Sequence, residues 1–276
     1  RAIKAGATDF IPKPWEKEKL LATLSSAVKL RQSRREVKQL QTRLEALSES
    51  DKDAPLMIGE SKAMQEVFAN IHQLSNTDAN ILILGENGTG KDLVARSLRH
   101  FSSRQQAPFI TIDLGSVPES LFESELFGYE KGAFTDARKA KAGRMEVASG
   151  GTLFLDEIGN LSLAMQSKLL TAIEKRQISR LGATRSIPIN IRLICATNAN
   201  IRQMVEDGTF RQDLLYRINT VEIHIPPLRE RGEDVILLAE YFLKRYSHKY
   251  KKNIQGLTKE AQQKLMRYQW PGNVRE

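Results

Sequence analysis

Five short apolar runs punctuate the middle of the chain: Ile81–Leu84, Phe109–Leu114, Thr152–Leu155, Ile189–Ala196 and Val221–Ile225. Longer stretches with helical spacing separate them. Near-continuous apolar runs of this length suit strands buried on both faces, and their alternation with helices predicts a parallel α/β sheet. From about Asp234 the pattern turns helical, as in a small all-helical lid. Residues 56–233 are therefore assigned to an α/β subdomain and 234–276 to the lid.

Ahead of the sheet, residues 15–49 carry a helical pattern without glycine or proline. Leu30, Val37 and Leu44 recur every seven residues, with Leu40 and Leu47 between them; Ser33 interrupts. Such a seam either pairs two subunits in a short coiled coil or packs one helix on its own domain. Ser48 to Pro55 is polar, acidic and proline-terminated, so residues 15–55 read as a linker ending in a hinge.

Composition narrows the class. The 276 residues are 41% hydrophobic and 27% charged, ordinary for a globular protein of about two domains. No run approaches a membrane span and no signal peptide is recognisable, so a cytoplasmic location is expected. One cysteine, Cys195, leaves no internal disulfide framework and fits a reducing compartment; within an apolar run it reads as a small core residue. His72, His100, His224 and His248 are scattered without metal-ligand spacing. The net charge is +9, and residues 1–50, with eleven Lys/Arg against six Asp/Glu, hold +5 of it. On a linker helix that excess reads as a solvated face rather than a nucleic-acid surface. The chain opens in mid-pattern at Arg1 and stops inside a motif at Glu276, so a fragment of a longer protein is expected.

Two segments carry chemistry. Directly after Ile81–Leu84 comes Gly85-Glu86-Asn87-Gly88-Thr89-Gly90-Lys91-Asp92. Glycines let successive backbone N–H groups turn around an anion, the following helix adds its positive end, and Lys91 can reach β- and γ-phosphates. Asp92 stands where most such loops carry a hydroxyl for Mg²⁺. The second segment is Thr152-Leu153-Phe154-Leu155-Asp156-Glu157. Its two acids emerge where a buried parallel strand ends, the edge at which open α/β sheets bind ligands. Asp156 is expected to hold the Mg²⁺ of Mg-ATP, and Glu157 to orient and deprotonate the attacking water.

By these residues the chain resembles the NtrC-type activators of sigma-54 RNA polymerase, a branch of the AAA+ ATPases, over roughly residues 56–276. Ile58-Gly59-Glu60-Ser61 resembles the family's entry segment near adenine, and an acid at the place of Asp92 is usual there. Gly132-Ala133-Phe134-Thr135-Asp136-Ala137 resembles its sigma-contacting loop, normally written GAFTGA. Asn198, in Ala196-Thr197-Asn198, is similar to the sensor of the γ-phosphate, and Arg275, in Trp270–Glu276, to the arginine of a second sensor. Arg211 and Arg217 resemble two arginine fingers. Residues 1–14 resemble the end of a response-regulator receiver domain, in which Lys13 contacts a phosphorylated aspartate, Pro14 follows a cis bond and Phe10 holds the aromatic switch position.

The resemblance implies a hexameric ring, with ATP and Mg²⁺ between subunits and arginines completing the neighbour's site. Hydrolysis would move the Phe134 loop on sigma-54. A cognate sensor kinase would act through the receiver, and DNA would be bound by a domain beyond Glu276. Two residues depart from the pattern. Asp136 replaces the loop's second glycine, leaving open a target other than sigma-54. Asp113 stands where an asparagine often bonds the catalytic glutamate, so against Glu157 it would set like charges together unless a proton, cation or water intervened. Phe134 itself reads either as a partner anchor or as a side chain tucked onto its own domain. A nucleotide-gated module without hydrolysis is a further alternative, against which Glu157 and the two arginines stand.

Overall fold

The computed structural model describes residues 57–276. The receiver-like segment with Phe10, Lys13 and Pro14, the Leu30–Leu47 seam and the hinge lie outside the described residues. Five strands, β1 (Ile81–Leu84), β2 (Phe109–Asp113), β5 (Thr152–Asp156), β8 (Arg192–Thr197) and β9 (Val221–His224), form one parallel sheet in the order β2-β5-β8-β1-β9.

The period-two alternation of strand side chains splits the core into two layers. Leu82, Cys195, Leu193, Leu153, Leu155, Ile110 and Ile112 point into one. It is covered by α3 (Glu119–Phe127), α5 (Leu163–Lys175) and α7 (Gln212–Ile218). Ile81, Ile83, Phe154, Ile194, Ala196 and Ile223 face the other layer, under α1 (Lys62–Ser75) and α2 (Lys91–His100). Cys195 is wholly buried, and burial pushes its thiol far up, as a core residue requires.

The expected strand Ile189–Ala196 is displaced. The ladder runs from Arg192 to Thr197, because Ser186–Pro188 (β7) folds back on Gln177–Ser179 (β6) as an antiparallel hairpin. The Ile189 N–H is spent on Arg176 O at 2.9 Å, outside the sheet. A second small hairpin pairs β3 (Gly128–Tyr129) with β4 (Lys141–Ala142), ahead of the short helix α4 (Arg144–Val147). After β8 comes α6 (Ile201–Glu206).

A third core cluster of Leu228, Val235 and Leu238, with Ile58, Phe242, Leu265, Trp270 and Val274 against it, belongs to the helical end. There α8 (Asp234–Lys249) and α9 (Lys259–Arg267) lead to a final turn, Asn273–Arg275. Asp234, 2% exposed, reaches back to the start of α1. Its Oδ1 accepts the N–H groups of Glu60 (2.7 Å) and Ser61 (3.0 Å), and Oδ2 the Ser61 hydroxyl (2.6 Å). One buried carboxylate thus satisfies donors at the N-terminus of another helix.

Candidate active site

The register brings three strand ends together. Leu84 pairs with Thr197, and Leu155 with Cys195, so Gly85, Asp156 and Asn198 leave the sheet at the same edge. From Gly85 the chain turns through Gly88 (φ 77°) and Gly90 (φ 100°), left-handed values that glycine adopts without penalty. Thr89 Oγ1 donates to Glu86 O at 2.8 Å and braces the turn. The N–H groups of Asn87, Gly88 and Gly90 make no backbone hydrogen bond, and α2 opens at Lys91 with its own first donors free. Unspent donors around a helix N-terminus form a cradle for a polyphosphate. Asp92 lies exposed at the first turn of α2.

Lys91, 6% exposed, is held across this cradle. Its Nζ donates to Gly85 O (3.0 Å) and Glu86 O (3.4 Å) and lies 3.6 Å from Glu157 Oε1. Asp156 closes β5; burial raises its carboxyl above the ordinary value, the adjacent Glu157 charge raises it further, and Lys91 opposes both. Glu157 holds φ 56° and ψ 48°, a left-handed conformation that costs a side-chain-bearing residue on the order of 1 kcal/mol. The turn carries its carboxylate off the strand, with Oε1 toward Lys91 and Oε2 accepting the Asn198 N–H at 3.4 Å. Asn198 thus meets Glu157 through its backbone.

Asp113, level with Asp156 in the register, turns Oδ1 onto the Gly115 N–H at 2.9 Å. Its charge still adds to the rise of the Asp156 carboxyl. A Cβ on Gly115 would lie 3.2 Å from Asp113 Oδ1 and 3.8 Å from Glu157 Cγ, so both acids border Gly115. The cation beside Glu157 is Lys91.

The turn after the last strand and the helical end supply side chains to which no role had been assigned. Arg229 makes a two-pronged ion pair with Glu86, and with an Asn273 hydrogen bond it holds the Glu86 carboxyl down at about 2. Arg231, 2% exposed, donates to Thr89 O and Pro226 O, both at 2.9 Å. The available signals were the charge-dense stretch Arg229-Glu230-Arg231 after the last strand and Asn273 in a Gly-Asn turn, a residue that tolerates positive φ. Arg275 is exposed, and its Cβ would lie 2.9 Å from a Cβ placed on Gly88. Ile58 and Met57, with Thr89, Leu238, Tyr241, Phe242 and Val274, line a cavity of about 270 Å³ beside the loop, large and apolar enough for part of a base. Gly59 packs where a Cβ would press on Met64 at 2.9 Å.

The two other arginines are not brought to Lys91 within the chain. Arg211 caps α7 and forks onto Asp213 at 3.0 and 2.6 Å. Arg217, exposed, lines a cavity with Asp78, Asn80, Arg104, Arg176 and Asn190, at the end of the sheet where β1 begins.

Gly132–Ala137 lies between β3 and β4. Gly132 N–H donates to Ala137 O (2.8 Å) and Ala137 N–H to Phe134 O (2.9 Å), closing a compact tip. Leu181, beside β6, clasps its base through Glu130 N–H and Gly128 O, each at 2.9 Å. Phe134 is 43% exposed and meets the Tyr129 ring edge-on at 4.8 Å, so it is only partly tucked onto its own domain. Gly132 has φ 84°, whereas Asp136 is not among the positive-φ residues, so aspartate occupies the glycine position without left-handed strain.

Residues 57–224 match the sigma-54 interaction domain family and residues 229–276 the AAA+ ATPase lid domain. Transcriptional regulatory protein ZraR of Klebsiella oxytoca is 46% identical over 277 residues, covering 100% of this chain and 60% of the relative. The alginate biosynthesis transcriptional regulatory protein AlgB of Pseudomonas putida is 45% identical over 276 residues, with the same coverage of 100% and 60%. NtrX from Brucella abortus, crystallised with ADP, superposes with a TM-score of 0.75 at 33% identity, over 99% of this chain and 60% of that one. The chain spans about 60% of the length of these curated relatives.

Proposed function

The chain belongs to the sigma-54 interaction domain family of AAA+ proteins, and from that premise we propose that it hydrolyses ATP and uses the cycle to remodel closed complexes of sigma-54 RNA polymerase into open ones. The observation that carries the hydrolytic part is the convergence of Lys91, Asp156 and Glu157 on a loop with unspent N–H donors. The loop and Lys91 would bind the β- and γ-phosphates. Glu157 would take a proton from water as the water oxygen bonds to the γ-phosphorus. The bond to the bridging oxygen breaks, and its electron pair leaves with ADP. The donor set fits Mg²⁺ carried by the phosphates, with Asp156, half-buried at the strand end, as its protein ligand. When bound, Mg²⁺ would neutralise developing phosphate charge.

Further parts of the reading rest on the resemblance. Arg217 and Arg211 would act on the nucleotide of a neighbouring subunit in a ring. The half-exposed Phe134 would anchor sigma-54, and phosphorylation of a receiver, touched by Lys13, would govern assembly. Domain boundaries near 56 and 234 belong to the same proposal.

The test separates binding from turnover. Glu157→Gln should bind ATP while turnover falls by about 10² or more, since general-base removal alone is worth that much. Undiminished turnover would sink the assignment. ATPase activity without opening of a sigma-54 promoter would transfer the reading to another target.

A further inference from the structure

The lid touches the phosphate loop through groups that the chemical step does not require. Arg229 Nη1 and Nη2 donate to Glu86 Oε2 and Oε1 at 2.8 and 2.6 Å. Asn273 Nδ2 donates to Glu86 Oε2 (3.1 Å) and to Asn87 O (3.0 Å), and Val274 N–H to Gly88 O (3.1 Å). Asn273 Oδ1 completes the set by accepting the Leu228 N–H at 2.7 Å. Glu86 and Asn273 are 187 residues apart, so the contact joins the start of the phosphate loop to the last turn of the lid.

The choice of partners is selective. The lid takes carbonyl oxygens and one carboxylate of the loop and leaves N–H groups unspent. A trans peptide points its carbonyl and its N–H in opposite directions. Holding Asn87 O on the lid side therefore turns the Gly88 N–H away from the lid, the orientation a phosphate cradle uses. The approach is close: a Cβ on Gly88 would overlap Gly272 O. The docking segment also holds two side-chain-bearing residues in left-handed conformations, Trp270 (φ 49°) and Asn273 (φ 54°, 1% exposed). Such conformations persist where surrounding contacts over-determine them.

We propose that Glu86, Arg229 and Asn273 form a latch that couples lid docking to the shape of the phosphate loop and so sets nucleotide affinity. Arg229 and Asn273 act through the loop and are positioning residues. The inference rests on the loop being an ATP site.

The experiment uses the whole chain carrying Trp15→Phe, which leaves Trp270 as the single tryptophan. Calorimetric titration with ADP measures affinity, Trp270 emission reports the docking segment, and thermal melting verifies folding. Arg229→Ala should weaken ADP at least ten-fold and shift Trp270 emission; Arg229→Lys, which keeps the charge but not the fork, should lie between. Glu86→Gln should weaken ADP comparably, and adding it to Arg229→Ala should cost less than a further three-fold, as expected for two residues of one contact. Folded Arg229→Ala and Glu86→Gln proteins that bind ADP like their parent would overturn the latch and leave the ATPase reading standing. A parent protein that binds no nucleotide would overturn both.

Discussion

Asn80 Nδ2 donates a 2.8 Å hydrogen bond to the backbone carbonyl of Arg217, tying the end of α7 to the residue that precedes β1. Lys91 follows the opposite end of that strand. Between Asn80 and Gly85 an extended chain covers about 15 Å, further than an arginine side chain extends. Arg217 therefore cannot reach its own loop, and under the proposed ring it would act on the nucleotide of a neighbour. Arg217→Ala is expected to lower turnover by about 10³ or more, the scale of arginine fingers elsewhere. Mixing it with Lys91→Ala should restore part of the activity, because mixed rings contain intact interfaces. Absence of recovery in rings shown to be mixed would count against action in trans.

Glu86 gives a pH signature. Its folded carboxyl sits at about 2 against an ordinary 4.5, chiefly through the Arg229 hydrogen bonds. A depressed carboxyl stabilises the fold above its unfolded value and loses that contribution as pH falls through the folded one. The stability difference between the parent and Glu86→Gln should be constant above about pH 5 and shrink toward pH 2. Because the pair is partly exposed, salt should reduce it. A difference that persists unchanged at pH 2 would refute the role given to the ion pair.

Arg192 is a structural charge, 1% exposed at the start of β8. Its guanidinium donates to Ser75 O and Leu74 O, both at 2.8 Å, and to Leu98 O at 3.5 Å, so it closes the C-terminal turns of both helices on one face of the sheet. Burial lowers its pKa, and the Asp78 charge opposes the shift. Arg192→Met keeps much of the volume but leaves those carbonyls unsatisfied, and should cost about 3 kcal/mol in chemical denaturation. A loss below about 0.5 kcal/mol, the surface-substitution range, would contradict this.

Phe134→Ala removes a half-exposed ring whose protein neighbour is Tyr129. ATPase activity should stay within about two-fold, since the tip lies outside the phosphate cradle, while binding of sigma-54 with a transition-state nucleotide analogue should fall at least about ten-fold, a hot-spot effect. Asp136→Gly should alter that binding less, because position 136 already has a conformation any residue adopts. Equal binding by the parent and Phe134→Ala would assign the contact elsewhere.

Much of this molecule was legible in its sequence. Ile81–Leu84 declared itself a buried central strand, since four consecutive apolar residues have no other home in a parallel sheet. Gly85–Lys91 and Asp156-Glu157 stood out as two short segments, since a phosphate loop needs glycines and a lysine within a few residues and Mg²⁺ with the attacking water calls for acids at a strand end. These are local requirements, and local requirements leave spacing. The β6–β7 hairpin, just ahead of the run Ile189–Ala196, went unread because Ile178 and Ile187 stand singly among polar residues. The hydrogen bond from the Gly115 N–H to Asp113 Oδ1 had no signal in the motif, because it depends on how the chain turns after β2. Asp234 on the start of α1, Arg229 on Glu86 and Asn273 on the phosphate loop had no periodicity to announce them. The existence of the strands, the glycine loop and the paired acids could be read from neighbouring residues alone, although the strand expected at Ile189–Ala196 begins only at Arg192. Which distant side chains seat the lid on the loop could not, because a hydrogen bond between residues 187 apart depends on the path of everything folded between them.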